Sequence, residues 1–189
     1  MDKISLHKNI ITESDAKLLI QLRKTYPPTG DIVIDNKDIV NGLDQVLKPF
    51  VHEFLNDNIF KNKLLPLDSV LLLEQTEKED PDTLHFDEQV TNNGELIIAP
   101  LVCLIYLTTS GIDFENGQLY FPFQKRIIEP EVGDLVIFPT GYLYPHKAMP
   151  FSGGNRYLIK LFYRIATNLS EDDEQSLYNR ITGELYAKA

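Results

Sequence analysis

The sequence predicts a mainly β fold of the jelly-roll kind with helices packed around it. Three observations lead there. Between residues 68 and 165 the chain is a succession of short runs rich in Leu, Ile, Val, Phe and Tyr, divided by clusters of Pro, Gly, Asn and Asp. On either side of that stretch, apolar residues recur at spacings of three and four, the period of an amphipathic helix. No Gly/Ser-rich or charged linker separates the two textures, so residues 1–189 are expected to form one domain, helical over 1–66, β over 67–165 and helical again over 169–188.

The elements follow in order. Thr12 with Asp15 three residues on has the form of a capping box, and Leu18, Leu19 and Leu22 give the helix behind it an apolar face. The segment "YPPTGD" at 26–31 ends that helix. A second helix carries Ile39, Leu43, Val46, Phe50 and Phe54 on one face, and Pro49 predicts a kink or a fresh start within it. His52 reads as a helix-face residue, and His7, close to the terminus, is assigned no role. The strand candidates are "DSVLLLEQT", "LIIAPLVCLIYLTT", "GQLYFPF", "KRIIEP", "GDLVIFP" and "NRYLIKLFYR". In the tail, Ser170 caps a helix with an acidic first turn and with Leu177, Ile181 and Leu185 in helical register.

Composition narrows the function. A net charge of −10 argues against binding phosphate backbones, which takes clustered Lys and Arg. The single cysteine, Cys103, excludes an internal disulfide framework and reads as a small core hydrophobe within "PLVCLIYL". The N-terminus lacks the pattern of a secretory signal, and the longest apolar run, interrupted by a proline, is shorter than the roughly twenty residues a membrane span needs, so a soluble, cytoplasmic protein is expected.

One short segment carries chemistry. In "TLHFDEQV", residues 83–90, His85 and Asp87 stand two apart, and in a strand such residues share a face while Phe86 points away. The one histidine downstream is His146, in "YLYPHKAMP" after the candidate strand "GDLVIFP". Two His and a carboxylate on one side of a metal form the facial triad of non-haem Fe(II) oxygenases, which leaves positions open for a chelating cosubstrate and O2. Ten residues beyond His146, Arg156 opens the strand "RYLIKLFYR". If that strand lines the barrel, its permanent charge needs an anion, and a dicarboxylic cosubstrate supplies one. Alternatively, Arg156 follows the turn "FSGGN" and faces solvent.

These residues resemble the 2-oxoglutarate- and Fe(II)-dependent dioxygenases, in particular the prolyl 4-hydroxylase branch that includes the hypoxia-sensing prolyl hydroxylases. The resemblance runs from about residue 83 to 164 through "HFD", "VCLIYLTT", "NGQLYFP", "IIEPEVGDLVIFP", "PHKAMP" and "NRYLIKLFY", in the family's order. It implies a double-stranded β-helix core, with His85, Asp87 and His146 as iron ligands and Arg156 as partner of the distal carboxylate of 2-oxoglutarate. It places Tyr106 beside the cosubstrate and Leu119 in the wall nearby. The implied cofactors are Fe(II), 2-oxoglutarate as cosubstrate and O2, with ascorbate as an optional reductant of the iron. The implied reaction is hydroxylation of a prolyl residue in a peptide or protein, releasing succinate and CO2.

Three departures from the family stand out. Asn116-Gly117 replaces the usual Gly-Gly, which keeps the turn feasible because Asn tolerates left-handed backbone. The tyrosine that prolyl hydroxylases commonly carry on the strand before the HxD motif has no counterpart in "LLLEQTEKEDPD". Arg156 stands where the collagen-type enzymes use Lys. The intact Asp87 favours hydroxylation over halogenation, since related halogenases replace it with a small residue. Glu77, Glu79 and Asp80 either form an acidic rim that favours a basic peptide as partner or are simply part of a solvated loop. A free amino acid or other small molecule is the alternative substrate, and a cupin-like metal-binding protein the alternative class. A nucleic-acid demethylase is disfavoured by Phe162, which occupies the place of that branch's second Arg.

Overall fold

The Thr12–Asp15 spacing does what it predicts. In the computed structural model, which describes residues 3–27, 32–55, 64–67, 69–77, 83–87, 89–90, 96–97, 99–165 and 172, helix α1 (Glu13–Lys24) starts with a reciprocal capping box between Thr12 and Asp15. Its inward face differs from expectation. Leu18 is 61% exposed, whereas Ala16 and Arg23 are buried and Leu19, Ile20 and Leu22 pack at the margin. Arg23 reaches Glu74 at 3.4 Å, which ties this helix to the sheet beneath.

Helix α2 (Lys37–Leu55) begins at Asn36, whose side-chain oxygen accepts from the Asp38 and Ile39 amides. Its buried stripe is Val40, Leu43, Leu47, Val51 and Leu55; Ile39, Phe50 and Phe54 flank it, and Val46 lies towards solvent. Pro49 does not divide the helix. It lies on the exposed side, so the backbone carbonyl that loses its donor can be met by water, and buried residues on both sides of it hold the axis together. His52 is on this helix, half-buried. No helix among the described residues is long and apolar enough to cross a membrane.

The stretch expected to be helical throughout also supplies three short strands, β1 (Ser5–His7), β2 (Ile32–Ile34) and β3 (Leu64–Pro66). Three residues carry too little periodicity to be read, and each is recruited by a longer partner. Next come β4 (Val70–Gln75), β5 (Gln89–Val90), β6 (Leu96–Ile97), β7 (Leu101–Tyr106), β8 (Glu115–Asn116), β9 (Leu119–Phe121) and β10 (Arg126–Ile128). The last four are β11 (Leu135–Pro139), β12 (Lys147–Ala148), β13 (Phe151–Ser152) and β14 (Arg156–Ile165). A seven-stranded antiparallel sheet has the order β1-β11-β7-β14-β4-β2, with β3 added along the far end of β14. Facing it is a smaller sheet, β10-β9-β12, accompanied by the antiparallel two-stranded pair β13-β8. Together they form a double-stranded β-helix of the jelly-roll type. The helix expected over 169–188, with its cap Ser170, lies outside the described residues except for Asp172.

Strand alternation builds two cores from this sheet. Leu101, Cys103 and Ile105 of β7, with Tyr157, Ile159, Leu161 and Tyr163 of β14, face the two helices. Val102, Leu104 and Tyr106, with Leu158 and Phe162, face inward towards Leu119 and Phe121 of the smaller sheet. Cys103 is fully buried and burial pushes its thiol up, as expected of a core hydrophobe. At the turn before β9, Asn116 and Gly117 both have left-handed backbone, φ 67° and 73°, and a Cβ on Gly117 would meet the Phe114 ring at 2.8 Å.

Leu47 is fully buried between α2 and the large sheet. Leu47→Ala is expected to lower unfolding free energy by about 2–5 kcal/mol, read as a lower urea midpoint at unchanged slope.

Candidate metal centre

The segment Thr83–Asp87 does not form the strand that its sequence suggests. It makes a single antiparallel bridge: the His85 amide donates to the His146 carbonyl at 3.1 Å, and the His146 amide to the His85 carbonyl at 2.7 Å. A third bond, from the Gly141 amide to the Asp87 carbonyl at 3.2 Å, clasps the two segments again. Residues sixty-one positions apart in sequence are thereby set side by side, and their imidazole centroids lie 4.5 Å apart.

Each imidazole is oriented by its own backbone. His85 Nδ1 lies 2.9 Å from the Thr83 carbonyl and His146 Nδ1 lies 3.1 Å from that of Tyr144. An Nδ1–H donated there leaves Nε2 as the lone-pair nitrogen in both rings. Phe138 and Phe121 hold the His146 ring from two sides, with centroids 4.8 and 5.4 Å away. His146 is buried; burial pushes its imidazole down to about 4, against the opposing pull of Asp87. It is therefore neutral at pH 7, and its 3.6 Å approach to Asp87 Oδ2 is a contact between a neutral ring and a carboxylate, not an ion pair. His85 lies at the open rim.

Asp87 is 6% exposed, and Oδ2 has no hydrogen-bond partner among the described residues. Donor atoms of His85, Asp87 and His146 all lie within 4.8 Å of one another. Two Nε2 lone pairs and one unpartnered carboxylate oxygen are a donor set that fits a divalent transition metal with open positions.

Behind this cluster is a cavity of about 400 Å3 walled by Leu73, Leu104, Leu119 and Leu158. Arg156 lies in it and not in solvent, at 2% exposure. Its Nη2 donates to the Tyr106 hydroxyl at 3.2 Å, and the guanidinium carbon is 5.3 Å from that ring's centroid. Nε and Nη1 have no partner among the described residues. Tyr106 is itself fully buried, and burial raises its phenol pKa despite the neighbouring Arg156, so the hydroxyl stays protonated. Of the six expected site residues, His85, His146, Arg156 and Leu119 line this cavity, while Tyr106 and Asp87 contact its lining residues Arg156 and Lys160.

Two further residues join them. Lys160 lies on β14 four residues after Arg156, and its ammonium contacts Asp87 Oδ1. Counting in twos from Arg156 would have found it. Gln75 is the register partner of Arg156 on β4, lines the cavity, and has a buried Oε1 without a partner among the described residues. Of the acidic rim, Glu77 is exposed, and Glu79 and Asp80 lie outside the described residues.

Known proteins share this fold. Residues 74–164 match the model of the 2OG-Fe(II) oxygenase superfamily. The fold is similar to that of the viral collagen prolyl hydroxylase of Paramecium bursaria Chlorella virus-1, solved as a 2OG complex, at a TM-score of 0.70 and 12% identity over 88% of this chain and 97% of that one. A Pseudomonas putida prolyl-4-hydroxylase gives 0.61 and 17% over 86% and 92%. A Trichoplax adhaerens prolyl hydroxylase, solved with a hypoxia inducible factor peptide fragment, gives 0.60 and 16% over 94% and 87%. At these identities the likeness is one of fold. No curated protein matches the chain by sequence.

The depressed His146 makes stability depend on pH. Between its native value near 4 and an unfolded value near 6.5, the unfolded chain binds the extra proton. Metal-free protein is therefore expected to lose stability as pH falls from about 6.5 towards 4, by on the order of 3 kcal/mol. His146→Gln should flatten that part of the profile, measured by urea unfolding in chelator.

Proposed function

We propose, for a chain that carries the 2OG-Fe(II) oxygenase superfamily's domain at residues 74–164 and is an Fe(II)/2-oxoglutarate-dependent dioxygenase with the prolyl 4-hydroxylase fold, that it hydroxylates a prolyl residue of a peptide or protein. The observation that carries the site assignment is Arg156: a buried guanidinium whose Nε and Nη1 have no partner among the described residues, in a cavity beside the His85, Asp87 and His146 donors. A buried charge of that kind is costly unless an anion meets it.

In this reading, bound iron with 2-oxoglutarate and O2 supplies the oxidising chemistry, in which the keto acid becomes succinate and CO2 and one oxygen atom enters a substrate C–H bond. The chain's residues do the rest. His85 and His146 present Nε2, and Asp87 presents Oδ2. Arg156 clamps the distal carboxylate of the cosubstrate, steadied by Tyr106, and the leucine walls exclude water from the reacting end. Residues 1–189 act as one domain, in a reducing cytoplasmic setting where ascorbate can keep the iron ferrous.

A second reading is favoured by one observation. Gln75 faces the cavity from the strand that commonly carries a tyrosine in prolyl hydroxylases, so the pocket differs there, and a free amino acid or other small molecule would be the substrate. Turnover assays on proline-containing peptides beside free proline separate the two, with succinate release as the common signal.

Anaerobic titration with Fe(II) and 2-oxoglutarate is expected to raise a weak visible charge-transfer band. His146→Ala should abolish it, and Arg156→Ala should raise the 2-oxoglutarate concentration required by roughly 100-fold, the scale of losing one buried charge partner at about 3 kcal/mol. Iron binding without the band would overturn the assignment.

A further inference from the structure

Lys160 is a second cation in the cavity, distinct from the Arg156 clamp. Alternation on β14 aims it inward with Arg156 and Leu158, and its ammonium ends on Asp87 Oδ1 while lying 5.2 Å from the centroid of the Phe162 ring. The two side chains are 16% and 6% exposed, so water competes little for the pair. Phe162 and the leucines around the Lys160 stem restrict where the ammonium can go. As a result the two oxygens of Asp87 are not equivalent: Oδ1 is held by a cation, whereas Oδ2 has no hydrogen-bond partner among the described residues and faces His146 Nε2.

A carboxylate can meet a metal ion through one oxygen or through both. The difference matters here, because a keto acid that chelates the metal needs adjacent open positions and O2 needs a further one. We propose that Lys160 is a positioning residue which confines Asp87 to ligation through Oδ2 and so keeps one more coordination position free for the cosubstrate or O2. The inference rests on the metal-site assignment made above. Without Lys160, Oδ1 is free to swing onto the metal, and the same loss removes a positive charge that opposes metal binding, so the ion should be held at least as tightly but with fewer exchangeable positions.

Water-proton relaxation of the Mn(II)-loaded protein, without cosubstrate or turnover, counts metal-bound waters directly. Lys160→Met is expected to bind Mn(II) at least as well as the parent chain, with relaxivity reduced by roughly one third as one of about three waters is displaced. Lys160→Gln keeps a donor for Oδ1 and is expected to retain the parent value. Should the Met variant not fold, Lys160→Val, a strand former without a donor, carries the same expectation. Parent-like relaxivity in Met or Val, or a fall in Gln equal to theirs, would overturn the positioning role. If the parent chain gives no Mn(II) signal that His146→Ala removes, the metal-site assignment itself fails, and this inference with it.

Discussion

Two backbone hydrogen bonds exchanged between His85 and His146 are the constraint from which the rest of the site follows. A histidine pair far apart in sequence has no intrinsic reason to meet, and isolated side-chain attraction between neutral rings would not hold them. The reciprocal bridge holds them at backbone precision, and the Gly141–Asp87 bond two residues along prevents the segment from twisting away. Side chains then need only local contacts to finish the job: each Nδ1 meets a carbonyl two residues back in its own segment, and Nε2 is left for the cavity.

Charge is the second constraint. Where it lines the cavity, the inward face of β14 carries Arg156 and Lys160, two cations beside Leu158. Asp87 answers Lys160, and Tyr106 answers part of Arg156. Among the cavity's groups, those without a hydrogen-bond partner among the described residues are Arg156 Nε and Nη1 and the neighbouring Gln75 Oε1 at the bottom, and Asp87 Oδ2 at the top. The charged groups among these set the polarity: an unmet guanidinium at one end and an unmet carboxylate oxygen at the other suit an anion below and a cation above. That polarity describes a keto-diacid bound to a metal ion better than it describes a finished protein core.

The fold was legible wherever a period ran long enough. The capping box at Thr12, the strands around Val70–Gln75, Leu101–Tyr106, Leu135–Pro139 and Arg156–Ile165, and the left-handed turn at Asn116 all appear where the residues place them. Three-residue strands such as Ser5–His7 were not legible, because their conformation is imposed by a longer neighbour. That the helix would run on across Pro49 without a fresh start was not legible for a related reason. A proline's local cost is visible in sequence, but the buried stripe from Val40 to Leu55 that offsets it depends on what packs there. Likewise Leu18 and Val46 belong to helical periods, yet the face that turns inward was set by Ala16 and Arg23, and by Leu47 and Val51.

Sequence by itself determined the residue types of the site and their pairing two apart, because His, Asp and Arg in such positions are costly unless they serve a ligand. Strand alternation grouped Arg156 with Leu158 on one face but left open whether that face turns inward or to solvent. Only the tertiary structure decided that Arg156 turns inward, that His85 and His146 meet through a clasped bridge and not a strand, and that Lys160 and Gln75 share the cavity. The reason is range. Periodicity and capping act over a few residues and leave a trace in the order of the letters. A contact between residues 85 and 146, or between 87 and 160, exists only once two sheets have closed on each other.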